Sequence, residues 1–78
     1  MKLNYHPETD SLYIDLSEKP SVESREISEG VVLDYDAEGN LVGLDIDHAS
    51  RNVDLRTLTV SRLPAVVQTS AAYTSWSL

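Results

Sequence analysis

Val31-Val32-Leu33-Asp34-Tyr35-Asp36, then Ala37-Glu38-Gly39-Asn40, then Leu41-Val42-Gly43-Leu44-Asp45-Ile46-Asp47 is the stretch that decides the fold. Two apolar-rich runs flank a glycine placed where a tight turn needs a positive φ. With the turn on Glu38-Gly39, outward pairing sets Tyr35 against Val42, Leu33 against Leu44 and Val31 against Ile46. These six apolar residues share one face, and Val32, Asp34, Asp36, Leu41, Gly43 and Asp45 occupy the other. A slip of one residue would set Asp34 against Val42 and Leu33 against Gly43, mixing the faces. The two-residue period of a strand therefore selects this hairpin.

The N-terminus repeats the pattern. Leu3-Asn4-Tyr5 and Leu12-Tyr13-Ile14-Asp15-Leu16 flank the turn-like set Pro7-Glu8-Thr9-Asp10. Pairing around it brings Tyr5 to Leu12 and Leu3 to Ile14, with Lys2 beside Asp15 and Asn4 beside Tyr13 on the outer side. Ser17-Glu18-Lys19-Pro20-Ser21 reads as a loop, and a strand from about Val22 to Ser28 turns through Glu29-Gly30 into Val31. Val22 and Ile27 have opposite parity, which points to a bulge or a shortened strand. If Ser28 pairs with Val31, Arg25 falls beside Asp34, among other registers. After Asp47 the alternation stops. Ala49 and Val53 lie four apart, so the reading is a short helix near residues 48–53 with Asp47 as its cap. Leu58 and Val60 alternate with threonine and serine as a final strand, ended by Pro64.

A chain of 78 residues is one small domain. Such a chain buries only roughly 60–65% of the surface its unfolded form exposes, so stability is thin and association with a second copy is favoured. The absence of cysteine excludes disulfides, thiolate metal sites and a thiol nucleophile. Thirteen acids against six bases give a net charge of −7, a field that repels nucleic acid and anionic lipid. All the acids lie between Glu8 and Asp54, while Arg56 and Arg62 are the only charges beyond. The chain thus divides into a body, residues 1–64, and a Ser/Thr-rich C-terminal tail, residues 65–78, that includes Tyr73 and Trp76. No apolar run approaches the ~20 residues of a membrane span and no signal-peptide core is present, so the expected setting is the cytoplasm.

Four constellations are candidates for chemistry. Asp34, Asp36 and Asp45, continued by Asp47, form a carboxylate row that suits acid–base work or a divalent cation. The plainer reading is a solvated sheet face that discourages edge pairing. His6 and His48 lack a third ligand at metal-binding spacing. No serine stands in a nucleophile-elbow or Ser-x-x-Lys context, and the three glycines form no phosphate loop. Finally, Tyr13, Val32 and Leu41 on the outer face, with Tyr73 and Trp76 in the tail, are an apolar surplus of the kind that marks interfaces.

Tyr5-x-x-Glu8-Thr9-Asp10-x-Leu12-Tyr13-Ile14, Gly30-Val31-Val32-Leu33-Asp34-Tyr35-Asp36, Gly39-x-Leu41-Val42-Gly43-Leu44-x-Ile46 and Ala49-Ser50 together carry a resemblance. Over about residues 1–53 the chain resembles a family of small prokaryotic proteins, domain of unknown function 2283 (DUF2283). The family offers no catalytic residues to carry over. Members sometimes accompany small toxin-like proteins in bacterial genomes, so the resemblance implies an antitoxin-like or regulatory binding role. The tail lies outside the pattern.

The expectation is a mainly β (α+β) domain: a small antiparallel sheet of two or three hairpins, five to six short strands, and one short helix. Its expected core is Leu3, Tyr5, Leu12, Ile14, Ile27, Val31, Leu33, Tyr35, Val42, Leu44, Ile46, Val53 and Leu58. The expected function is a non-enzymatic protein-interaction domain without cofactor or metal, a homodimer that also binds a basic protein, with Asp34, Asp36, Asp45, Tyr13, Tyr73 and Trp76 as contact residues. The rival expectations are a small divalent-metal-binding protein or enzyme using the Asp34/Asp36/Asp45 face, and a structural homo-oligomeric accessory.

Overall fold

The computed structural model describes residues 1–65 and 67–69. Five strands, β1 (Lys2–His6), β2 (Ser11–Asp15), β3 (Glu23–Ser28), β4 (Val31–Tyr35) and β5 (Leu41–Ile46), precede one short helix, α1 (Ala49–Asn52). All strand pairs are antiparallel, and the sheet order is β1-β2-β5-β4-β3. The architecture is thus the mainly β, antiparallel one that the alternation calls for.

The first hairpin has the register read from the sequence, with Lys2 opposite Asp15, Leu3 opposite Ile14 and Tyr5 opposite Leu12. The pairing that joins the two hairpins sets Leu12 against Ile46 and Ile14 against Leu44. It matches apolar side to apolar side, so one continuous inner face runs across the sheet. The strand formed last in sequence, β5, becomes the central one.

The decisive hairpin is correct at its far end and one residue out near its turn. Val31 opposes Ile46 and Leu33 opposes Leu44, but Tyr35 opposes Leu41 rather than Val42. The cause is the loop length. The Gly39 amide donates to the Asp36 carbonyl at 3.1 Å, the Asp36 amide donates to Asn40 at 2.9 Å, and Gly39 has φ +85°. That is a three-residue loop ending on a left-handed glycine, not a two-residue one. The slip it introduces is absorbed by a bulge that leaves Val42 without a cross-strand partner. Val42 is among the most buried residues, 3% exposed, so the bulge puts an extra apolar side chain into the core.

The β3–β4 pair holds the expected bulge. Ser28 opposes Val31, Glu26 opposes Val32, and Ile27 is the extra residue. Arg25 consequently sits opposite Leu33, not Asp34, whose partner is Ser24. Ile27, expected in the core, is 59% exposed because the bulge displaces it on an edge strand. Leu3, also expected inside, is 47% exposed on the other edge.

Two further expectations are corrected. Asp47 does not cap α1: the cap position belongs to His48 at φ 49°, with no side-chain cap bond. The Ala49 amide instead donates to the Asp10 carbonyl at 2.9 Å, so the helix is tied to the β1–β2 turn. Residues 57–60 form no strand, and Leu58 and Val60 are 68% and 45% exposed. Two alternating apolar residues bury too little surface to offset the entropy of ordering the segment. The buried apolar residues are Leu12, Val42 and Ala49, joined by one buried acid, Asp36. Tyr73 and Trp76, and with them most of the tail expected to dock, lie outside the described residues. Among the described residues no helix is long and apolar enough to cross a membrane.

Candidate functional site

Side chains alternate across the sheet, so β2, β4 and β5 send Tyr13, Asp15, Val32, Asp34 and Asp45 to the outer face. Gly43 opposes both Asp15 and Asp34 on this face. A Cβ on Gly43 would lie 2.7 Å from Cζ of Tyr13. The tyrosine ring therefore lies across the bare backbone of β5, in the way an aromatic side chain shields a strand glycine. Its hydroxyl reaches β4 and donates to Oδ2 of Asp34 at 2.9 Å, while the Ser24 hydroxyl from β3 donates to Oδ1 at 2.6 Å. One line of polar contacts thus crosses four strands: Tyr13 over Gly43 to Asp34 to Ser24.

The electrostatics of this face are set by like charges. Burial, followed by the charges of Asp47 and Asp34, pushes the Asp45 carboxyl above the usual carboxylate range, against a smaller pull from His6. Burial and then the bond to Asp34 raise the Tyr13 hydroxyl, which remains a neutral donor. The ion pairs among the described residues are Lys19–Glu38, Arg25–Glu23 and Arg56–Asp54, all exposed. None of them engages Asp15, Asp34, Asp45 or Asp47. Lys2 stands opposite Asp15 in register without closing an ion pair. Among the described residues no group of three His, Cys, Asp or Glu side chains is placed to hold a metal ion.

Asp36 leaves the row it was expected to join. It is 6% exposed and its Oδ1 accepts the amides of Glu38 and Asn40, each at 2.9 Å. The Asn40 amide bond is the first cause holding its carboxyl below the usual range, with Glu38 and the Lys19 charge adding to it against burial. Its role is to shape the three-residue loop. Oδ2 has no hydrogen-bond partner among the described residues.

A second aspartate does work that the search for chemistry passed over. Asp10, at φ 53°, accepts the Tyr5 hydroxyl at 2.8 Å and the Ser50 hydroxyl at 2.7 Å, and the Ser50 amide at 3.1 Å. The Ser50 hydroxyl, then the Tyr5 hydroxyl, hold its carboxyl low. Tyr5, Asp10 and Ser50 therefore bolt α1 to the first hairpin. The signal was present in the sequence, since all three stand in the motif set that carries the family resemblance.

A family model described as protein of unknown function (DUF2283) matches residues 2–50. The chain belongs to the DUF2283 family. No curated protein and no solved structure matches the chain. The matched span closes at Ser50, so the DUF2283 region takes in all five strands and the Asp10–Ser50 bolt and excludes everything after α1. Within the matched span lie the loop and helix fixtures Tyr5, Asp10, Asp36, Gly39 and Ser50 and the outer-face bridge Tyr13, Gly43 and Asp34.

Proposed function

We propose that this DUF2283 chain is a non-enzymatic protein-interaction domain whose outer face docks a basic protein. The observation that carries the reading is the cluster of unpaired carboxylates. Asp15, Asp34 and Asp45 face outward, Asp47 lies close enough to Asp45 to act on it, and none of the four enters an ion pair among the described residues. Burial, and after it the charges of Asp47 and Asp34, already push Asp45 toward protonation. A cationic surface brought against this face relieves that repulsion, and its complementary field speeds and orients the encounter. The Tyr13 ring lies over Gly43 at the centre of this face and its hydroxyl is held by Asp34, which orients an aromatic side chain for contact with a protein surface. An antitoxin-like role, in which the acidic face covers a basic active surface on a toxin, is the concrete version of the proposal.

Affinity capture from source cells with the full chain, followed by titration of the purified partner, tests it. A partner of high isoelectric point is expected. Its affinity should fall at least about tenfold for the combined Asp15→Asn, Asp45→Asn and Asp47→Asn variant, and fall again as salt rises from about 0.05 to about 0.5 M. Capture of no basic protein, or unchanged affinity in the neutralised variant, contradicts the reading.

A further inference from the structure

The inner face poses a separate problem. A sheet with one apolar face must cover it with another layer. Here the sheet is one layer thick, α1 has only four residues, and no large side chain of the described residues is completely shielded from solvent. The described segment beyond α1 does not supply a full cover: Val53 and Leu55 are half-buried, but Leu58, Val60, Leu63 and Val67 are each 42% or more exposed.

We infer that the inner face packs against the same face of a second copy, making a two-layer β-sandwich across a two-fold axis. Charge favours this occupant. Although the chain carries −7, the only charged strand residues on the inner face are Glu23 and Arg25, which pair with each other at 3.1 Å while the guanidinium lies 5.6 Å from the Tyr35 ring centroid; Asp10 adds one carboxylate at the end of the sheet, where Tyr5 and Ser50 hold it. Glu23 and Arg25 belong to an edge strand, so they form a polar rim and not a buried charge at the centre. Two copies of an acidic chain meet with less local repulsion through this face than through the carboxylate-bearing outer one. A basic partner, by contrast, is drawn to the outer face.

The face is small. Five strands about 4.8 Å apart, each of about five residues at about 3.3 Å, give a face of roughly 400 Å² in plan, and two such faces about 800 Å². Side-chain relief adds accessible area to the plan figure, and the contact is a small one beside the ~1,200–2,000 Å² of standard specific interfaces. The dimer is therefore of moderate affinity and strengthens with salt, since screening weakens the repulsion between the two net charges.

Sedimentation equilibrium on the full chain, with intermolecular NOEs measured in a mixture of isotope-labelled and unlabelled chains, tests this. The expected mass is twice 8.7 kDa, with the dissociation constant falling severalfold on going from about 0.05 to about 0.5 M salt. The intermolecular NOEs should arise from the methyls of Ile14, Leu33 and Leu44. A mass of one chain at all concentrations overturns the inference. So does a dimer whose NOEs come from Val32 and Tyr13. A mass of one chain leaves the outer face free for a basic protein, so the inference can fail while the proposed function stands.

Discussion

The two faces of this sheet are built from the same strands, alternate residue by alternate residue, and they solve opposite problems. The inner face gathers Leu3, Tyr5, Ile14, Leu33 and Leu44, and the charged strand residues on it, Glu23 and Arg25, pair with each other. The outer face gathers Asp15, Asp34 and Asp45 around a tyrosine laid over a glycine. On the inner side stability comes from removing apolar area from water, which needs a cover. On the outer side like charges oppose folding and persist because the face stays wet or meets cations. A sheet this small can hold both only because the two-residue period keeps them apart.

The largest expected effect comes from the inner face. Leu44→Ala, on the central strand, should destabilise by about 2–4 kcal/mol in urea unfolding, whereas Val32→Ala on the outer side should cost less than about 1.5 kcal/mol. Equal losses would erase the distinction. Next in size is Gly43→Ala, which drives a methyl into the Tyr13 ring and should cost about 1–3 kcal/mol. Adding Tyr13→Ala should remove most of that penalty, because the remaining neighbour, the Ile14 carbonyl oxygen, is 3.4 Å away. Failure of the second change to relieve the first would show that the ring does not lie over β5.

The fixtures at the ends of the sheet give a smaller signal with a defined pH dependence. The Asp10 carboxyl is held below its unfolded value, chiefly by Ser50 and then Tyr5. Its contribution is therefore present above the unfolded carboxylate range and is lost as pH falls through the lower folded value. Asp10→Asn should lower the melting temperature at pH 7 and narrow its gap to wild type in strong acid; a gap independent of pH would contradict the assignment. Asp45 has the opposite sign. Its folded pKa is raised, so protonation favours the fold, and the penalty is present above the folded value and absent below the unfolded one. Asp45→Asn should stabilise by about a few tenths of a kcal/mol at pH 7, reduced by solvent screening, with the advantage vanishing in acid. Destabilisation at pH 7 would mean that the carboxylate is already partnered.

Much of the sheet was legible because alternation is a strong signal where one face is apolar. The first hairpin follows residue by residue, and the second from Val31 to Asp34. The turn was misread because Glu38-Gly39 suits a two-residue loop and a three-residue loop alike, and only the Asp36 side chain capping Glu38 and Asn40 decides between them. That same bond took Asp36 out of the carboxylate row. The order of the hairpins was not legible, since any two apolar faces satisfy the period. The Leu58–Val60 strand was read from alternation too short to carry weight. Of the candidate site, Asp34 and Asp45 lie on the expected face, whereas the use of Tyr13 as a bridge depended on contacts two strands apart.

The division of the two faces is tested most directly by two aliphatic neighbours on β4 that face opposite sides. Val32→Gln and Leu33→Gln put the same amide side chain on the two faces one residue apart. Sedimentation equilibrium on the two folded variants should give Val32→Gln the wild-type dissociation constant and Leu33→Gln one weakened at least about tenfold, or about 1.4 kcal/mol. Equal weakening in both, or weakening in Val32→Gln alone, would contradict the account.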